Sequence, residues 1–324
     1  MIASTIENTT SGQSRDLFPL ISVIILTFHR PAGAMAAVRS VYAQVGAPNF
    51  EVLLVDNDRG QSCAPIAVHL EREANVPFRY AVEPAAGVAN ARNTAVQLAK
   101  GDFIAFLDDD EVAKPDWLAN LVAVQHDTQA DVVFGPIEAR LPETSAEPRS
   151  HFQLFFSRHL EGESRIIETP FGCGNSLLKR DTVLKGLTPF DPSTNETGGE
   201  DDLLWHDVRA RGGHFAWAKD AWVYEDVPEH RASWTYLRKR AFAYGHHTTA
   251  QWQIGNKGLN FQIVKSMVRG VIQVLAMALV ASGLWIIRHE KRAWAFDKMM
   301  RGLGKILWFG PFKVGFYGTA AQKS

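Results

Sequence analysis

Cysteine is scarce in this 324-residue chain, which holds only Cys63 and Cys173. Two thiols build no disulfide framework and stand at no metal-ligand spacing, so a disulfide scaffold and a thiolate zinc site are both excluded. A reducing, cytosolic setting is expected. The opening residues MIASTIENTTSGQSRD lack the basic-then-apolar order of a secretory signal and read as a polar tail over 1–18. No G-x-G-x-x-G follows the first apolar run and no Walker A loop occurs anywhere. Nicotinamide dehydrogenases and P-loop NTPases are poor readings for that reason. Internal repeats are absent too.

Net charge is nearly absent, at −1, but this is an average of unlike halves. From Arg238 onward 14 lysines and arginines stand against 2 acidic residues, whereas the preceding residues hold 20 basic and 33 acidic ones. A basic C-terminal zone points to an anionic partner, a membrane surface or a nucleic acid. Residues 270–287 (GVIQVLAMALVASGLWII) carry no charge and are bracketed by Arg269 and Arg288. At ~1.5 Å per residue they reach about 27 Å, the short edge of a bilayer span; a buried core helix is the competing reading. Residues 305–317 (KILWFGPFKVGFY) mix aromatics with lysines, as interfacial segments do. Because these aromatics sit among long aliphatic runs rather than in a stacking groove, the membrane is preferred and no nucleic acid is expected.

With 46% hydrophobic residues the chain can bury a substantial core. Short apolar runs recur at 21–27 (ISVIILT), 50–56 (FEVLLVD), 78–82, 103–107 (FIAFL) and 131–134. Their near-continuous character predicts strands covered on both faces. Helical spacing over 88–98, and over 117–125 after Pro115, alternates with them, which predicts an α/β doubly wound domain with a mostly parallel sheet. In such sheets ligands bind beyond the carboxyl ends of the strands. Polar residues gather there: Thr27-Phe28-His29-Arg30, Asp56-Asn57-Asp58, and Asp108-Asp109-Asp110-Glu111.

The third group follows an apolar strand directly. Neighbouring carboxylates repel, and a cluster at a strand mouth calls for a cation. Oxygen donors suit Mg²⁺ or Mn²⁺, which keep phosphate oxygens among their ligands. A solvated acidic turn is the alternative; placement at a buried strand's end favours the cation. A second acidic group follows two glycines in Thr197-Gly198-Gly199-Glu200-Asp201-Asp202, at the start of a helical run. Such carboxylates either cap the helix or act as a general base toward a hydroxyl, and the residues alone leave both open.

ISVIILTFHR, VDND, the block 87–111 (GVANARNTAVQLAKGDFIAFLDDDE) and GGEDD together resemble the family 2 glycosyltransferases of the GT-A fold, over roughly residues 20–229. TGGED, DDDEVAKPDW and FAWAKDAWVYEDVPEHRASW are similar to bacterial exopolysaccharide enzymes of the succinoglycan glucosyltransferase kind. The resemblance implies that Asp108 and Asp109 contact a nucleotide sugar and that Asp110, with Asp108, holds a divalent cation, Mn²⁺ or Mg²⁺. It implies that Thr27, Phe28, His29 and Arg30 form a loop over the nucleotide, with Asp56 and Asn57 at its base or ribose. Glu200 and Asp201 match the family's E-D pair, which makes Asp201 the general base. Relatives carry a further acid at the place of Leu203, whereas here Asp202 is acidic, so Asp202 stays open as the alternative base.

Arg92 and Asn93 are candidates to steady the diphosphate, with a helix-surface charge as the plain reading of Arg92. Gly172, Gly174 and Asn175 are candidates for the sugar pocket, and Trp205 for the acceptor, against an ordinary turn and a core tryptophan. Together these imply an inverting, metal-dependent hexosyltransferase using a nucleotide sugar, in particular a UDP-hexose. A saccharide or lipid-linked acceptor is expected at the cytoplasmic side of the membrane, with the protein peripheral or single-span. A nucleotidyltransferase with a similar acidic site, and a nucleic-acid-binding protein, are the alternatives. The expected division is a tail over 1–18, a GT-A domain over 19–235, and a basic, aromatic helical region over 236–324.

Overall fold

A computed structural model of the chain describes residues 19–196, 198–253 and 258–312. The tail expected over 1–18, Thr197 and the end of segment 305–317 lie outside the described residues. The chain begins with β1 (Ile21–Thr27), α1 (Pro31–Tyr42), β2 (Phe50–Asp56), α2 (Ala64–Glu73), β3 (Phe78–Val82) and α3 (Val88–Leu98). Next come β4 (Phe103–Asp108), β5 (Glu111–Ala113), α4 (Trp117–Thr128), β6 (Val132–Phe134), β7 (Ile137–Arg140) and α5 (Arg149–Phe156). Then follow β8 (Arg165–Ile167), β9 (Ser176–Lys179), α6 (Arg180–Val183), α7 (Glu200–Ala210), β10 (Phe215–Trp217) and β11 (Val223–Asp226). Three α-helices follow: α8 (Trp234–Ala250), α9 (Phe261–Ile286) and α10 (Arg292–Ile306).

These elements form two compact units. The first takes the described residues from 19 to Ile137 together with His159–Tyr224. Its eight-stranded sheet has the order β3-β2-β1-β4-β9-β6-β10-β8. The first four strands are mutually parallel, and β9 runs antiparallel to both β4 and β6. Strand alternation divides the apolar runs between two cores. Val23, Ile25, Val52, Leu54, Ala105 and Leu107 pack on one face. Ile24, Leu53, Val55, Ile104 and Phe106 pack on the other. Both faces are covered, which is why these strands read as continuous hydrophobic runs.

Parallel register sets the strand ends level. Thr27 pairs with Asp56, and Leu26 pairs with Asp108. The strand order also reverses here, since β2 lies on one side of β1 and β4 on the other. A crevice outside the carboxyl ends at such a switch point is the usual ligand position in open α/β sheets.

The second unit combines Glu138–Arg158 with the described residues from Glu225 to Phe312. It therefore recruits a segment far upstream of residue 236, because Phe152 on α5 closes a small core with Leu237 on α8 and Ala293 on α10. Trp234 packs edge-on against both Phe152 and Phe296. The three C-terminal helices approach at glycines. A Cβ on Gly245 would overlap the Arg301 carbonyl, and one on Gly304 would overlap the Phe242 carbonyl. Gly270 faces Gly302, where a Cβ would stand 2.7 Å from the carbonyl oxygen. Among the described residues one helix, α9, is long and apolar enough to cross a membrane, and only 11% of its apolar stretch is buried within the protein. The buried-core-helix reading of 270–287 is thereby replaced by an exposed one.

The helix packing yields a direct expectation. Gly304→Ala forces a methyl into a backbone carbonyl and should destabilise the protein by about 1–3 kcal/mol. Gly283→Ala, where nothing lies within 4 Å, should be neutral or stabilising. Thermal unfolding of both variants checks the contrast.

Candidate active site

The first two strand ends build a hydrogen-bonded floor. Thr27, almost fully buried, donates to Asp109 Oδ2 at 2.9 Å. Asp56 is fully buried at the end of β2. Its carboxylate accepts from the backbone N–H groups of Asp58 and Cys63 (3.1 and 2.8 Å) and from the Tyr80 hydroxyl at 3.0 Å. Burial, with Asp56 adding to it, pushes the Tyr80 phenol well above its usual value. Asn57 donates to the carbonyls of Glu83 and Ala85 and accepts from Gly87 N–H at 2.9 Å, fastening the loop that leads into α3. Beyond β1, His29 takes a left-handed φ of 56° and its Nδ1 lies 3.4 Å from Asp58. Phe28 packs edge-on to the His29 ring.

At the end of β4 the acidic residues diverge. Asp109 is turned inward, and burial pushes its carboxyl up to about 6 against the opposing pull of Arg30. Arg30 donates to Asp109 at 3.0 Å and to Asp110 at 2.7 Å, bridging the loop after β1 to the acidic turn. Glu111, also buried, accepts from the Asp108 backbone N–H at 3.0 Å and so tightens the turn. Asp108 is only half-buried and its carboxylate faces Gly174, where a Cβ would overlap Oδ2. A glycine at 174 is what leaves this carboxylate its room. Among the described residues no group of three or more His, Cys, Asp or Glu side chains is arranged to hold a metal.

The head of α7 faces the same centre. Glu200 is buried and forms an ion pair with Arg92 of α3. Arg92, 6% exposed, also lies over the rings of Phe106 (5.7 Å) and Phe190 (5.4 Å). Burial works against its charge, but Cys173, Glu200, Asp201 and Asp108 overcome this and hold the guanidinium above its ordinary value. Burial likewise raises the Glu200 carboxyl, with Arg92 opposing. The next two residues part company. Asp201 is half-buried and accepts from Cys173 N–H at 3.2 Å, close beside Gly172. Asp202 is exposed. The structure therefore brings Asp108, Glu200 and Asp201 together around Arg92, and leaves Asp202 on the solvent side of the helix.

Three candidates do other work. Asn93 clamps the Phe190 backbone, donating to its carbonyl at 2.7 Å and accepting from its N–H at 3.0 Å. Asn175 is fully buried. It accepts from Trp117 Nε1 at 2.8 Å and donates to the carbonyls of Pro136 and Ala221. Trp205 is a core residue, 2% exposed, donating to the Phe171 carbonyl and packed edge-on against Phe134. Two residues that sequence reasoning missed support the site, one within the acidic centre and one at the head of the helix that carries Arg92. Cys173 sits buried between Arg92 and Asp201, its thiol pushed up to about 12 by burial and therefore no nucleophile. Asn195 accepts from Ala89 N–H at 3.0 Å and so caps α3 from 106 residues away. Cysteine between two glycines was the available signal for the first; nothing local marks the second.

Asn175→Ala would strand the Trp117 N–H and two buried carbonyls. It should cost about 2–4 kcal/mol of stability, read from the urea midpoint. A pocket role alone would leave that midpoint unmoved.

Comparison with known proteins agrees with this geometry. The family model for "Glycosyl transferase family 2" matches residues 22–187. The succinoglycan biosynthesis protein ExoM of Rhizobium meliloti is 34% identical over 232 residues, covering 69% of this chain and 72% of that protein. A UDP-Glc:alpha-D-GlcNAc-diphosphoundecaprenol beta-1,3-glucosyltransferase, WfgD of Escherichia coli, is 33% identical over 106 residues, 33% of this chain and 39% of that one. Among solved structures, a mannosyltransferase of Pyrobaculum calidifontis in complex with GDP-Man and Mn²⁺ superposes with a TM-score of 0.59 at 18% identity, covering 90% of this chain and 87% of its own. The nucleotidyltransferase and nucleic-acid-binding alternatives fall with these matches. The family match over half the sequence, the 34% identical relative and the shared architecture make this chain a glycosyltransferase, a member of family 2 with a GT-A-like α/β fold.

Proposed function

We propose that the chain is an inverting, divalent-cation-dependent hexosyltransferase. It moves a hexose from a UDP-sugar to a saccharide or lipid-linked saccharide acceptor in exopolysaccharide or cell-surface glycan synthesis. The observation that carries this reading is the meeting of two acidic groups around one buried arginine: Asp108 at the end of β4, Glu200 and Asp201 at the head of α7. A donor-side carboxylate and an acceptor-side carboxylate are the pair that single displacement at an anomeric carbon requires.

In this reading Asp201 takes the proton of the acceptor hydroxyl. The hydroxyl oxygen then bonds to the anomeric carbon as the bond from that carbon to the diphosphate oxygen breaks, on the opposite face. Asp201 suits the task better than Asp202, because the Cys173 N–H anchors it while the half-buried carboxylate stays accessible. Glu200 is spent on Arg92 and holds the helix head in place. Asp108 and Asp110 would hold the cation. Two hard carboxylates fit an ion that binds through one or two protein carboxylates and completes its shell with phosphate oxygens. When bound, Mn²⁺ or Mg²⁺ neutralises charge on the departing diphosphate. Arg30 pairs with Asp110 here, so binding of the cation by Asp110 would compete with that contact. Thr27 to Arg30, Asp56 and Asn57 shape the floor on the nucleotide side.

UDP is chosen because the donor named for the Escherichia coli relative is UDP-Glc, and a lipid-linked acceptor because its printed name carries one. The exopolysaccharide assignment follows the Rhizobium relative. The basic C-terminal zone and the exposed apolar helix support the reading that the chain associates with the cytoplasmic side of the membrane.

Steady-state transfer assays separate the two aspartates. Asp201→Asn should lose about 10²–10⁴-fold in kcat while nucleotide affinity is largely kept, and Asp202→Asn should remain near wild type. A dead Asp202→Asn with an active Asp201→Asn would reverse the assignment. For the cation site, Asp110→Ala should abolish the Mn²⁺-dependent rise in melting temperature produced by UDP-sugars, with UDP-hexoses ahead of GDP-mannose in the unsubstituted protein.

A further inference from the structure

We infer that α9 lies in the plane of the membrane surface, half-immersed, rather than crossing the bilayer, and that it fits a bilayer with anionic headgroups. This rests on the membrane association proposed above and decides its geometry. Along α9, Phe261, Val268, Ile272, Leu275, Leu279 and Ile286 form one helical stripe, all exposed, with Leu279 80% and Ile286 83% accessible. The opposite face, through Ile263, Ser266, Gly270 and Ala281, is buried within the helical unit. A long apolar stripe turned outward and backed by packed helices marks an interaction surface, not a stray exposed side chain.

The neighbour of α9 decides between lying and spanning. Helix α10 runs antiparallel along it. Gly302 meets Gly270, Gln273 donates to the Lys298 carbonyl at 2.5 Å, and Lys305 donates to Gln273 at 2.8 Å. At the other end the Arg292 guanidinium lies 5.8 Å from the Trp285 ring. Thus α10 accompanies the whole uncharged part of α9, and it carries Arg292, Asp297, Lys298, Arg301 and Lys305. A spanning α9 would draw these charges into hydrocarbon, which membranes tolerate poorly. Lying flat, the stripe enters the acyl boundary and the charges of α10 stay at the water side. Lys265 and Arg269 near one end of α9, and Arg288 and Lys291 beyond the other, are placed for anionic headgroups.

The test uses the full chain. Vesicles of phosphatidylcholine with phosphatidylglycerol should float the protein. Neutral vesicles should float it less, and 0.5 M salt (an about 4 Å Debye length) should weaken the anionic case severalfold. Leu275→Glu with Leu279→Glu should cut flotation by more than about tenfold while melting temperature and UDP-sugar hydrolysis hold. Both native cysteines are buried, so single thiols at Leu259→Cys and Glu290→Cys report the two ends of α9. In membranes from expressing cells, both should react with an impermeant maleimide in inverted vesicles and neither in right-side-out vesicles. Labelling from opposite sides overturns the in-plane geometry and leaves membrane association standing. Failure to float removes both, and a dimer dissolved by the double glutamate variant reassigns the stripe to a second copy of the chain. Equal flotation with neutral and anionic vesicles overturns the headgroup preference.

Discussion

The acidic centre of this enzyme depends on the buried charge of Arg92. Asp108, Glu200 and Asp201 arrive from a strand end and a helix head, and left to themselves their charges would repel. Arg92 sits among them, nearly without solvent, paired to Glu200 and sandwiched near two phenylalanine rings. Removing one partner of such a pair leaves an uncompensated buried charge, so the arrangement holds as a set or fails as a set. Glu200 makes the direct ion pair with Arg92, while Asp201 accepts from the Cys173 and Asp202 N–H groups. The two adjacent carboxylates thus differ in which one reaches the guanidinium.

Glycine and asparagine supply the backbone side of this design. Gly174 gives the Asp108 carboxylate space that any Cβ would fill, and Gly172 stands against Asp201. Between them the Cys173 N–H holds the proposed base. Asn175, next in the chain, turns away into the core in a left-handed conformation, with φ of 48°, and anchors the segment to three distant groups. One short stretch therefore serves the site with its glycines and the fold with its asparagine. Arg30 does a comparable double service at the other edge, tying the loop after β1 to Asp109 and Asp110.

The helical unit follows a different logic. Its helices come close where Gly245, Gly270, Gly302 and Gly304 let backbones meet, so large apolar side chains are displaced outward on α9. In a water-soluble core the large residues would be inside and the small ones indifferent. On α9 the inward face is mostly small (Ser266, Gly270 and Ala281, with Ile263 the large exception) and the outward face is large, which suits a helix with an apolar surface on its outer side.

How much of this was legible beforehand depends on the range of the interaction involved. Continuous apolar runs marked β1, β2 and β4 because a strand covered on both faces has no polar side to show. The polar residues that end those strands were found for the same reason, and the family resemblance in their motifs extended the reading to roles. Boundaries slipped by a residue or a turn, as at Asp108 and Thr128, where hydrogen bonds rather than periodicity set the end. What stayed hidden was long-range. Asn175, a candidate for the sugar pocket, ties Trp117, Pro136 and Ala221 together, and Trp205 takes the core place that was already its commoner reading. Asn195 capping α3, α5 joining the C-terminal helices, and Asp201 rather than Asp202 turning inward were equally out of reach. Local composition and spacing thus determined the α/β sheet, the family and the acidic strand ends, since these are written in neighbouring residues. Only the folded chain decided which carboxylate meets Arg92 and which face of α9 stays uncovered, because both depend on partners dozens of residues away whose approach no local pattern encodes.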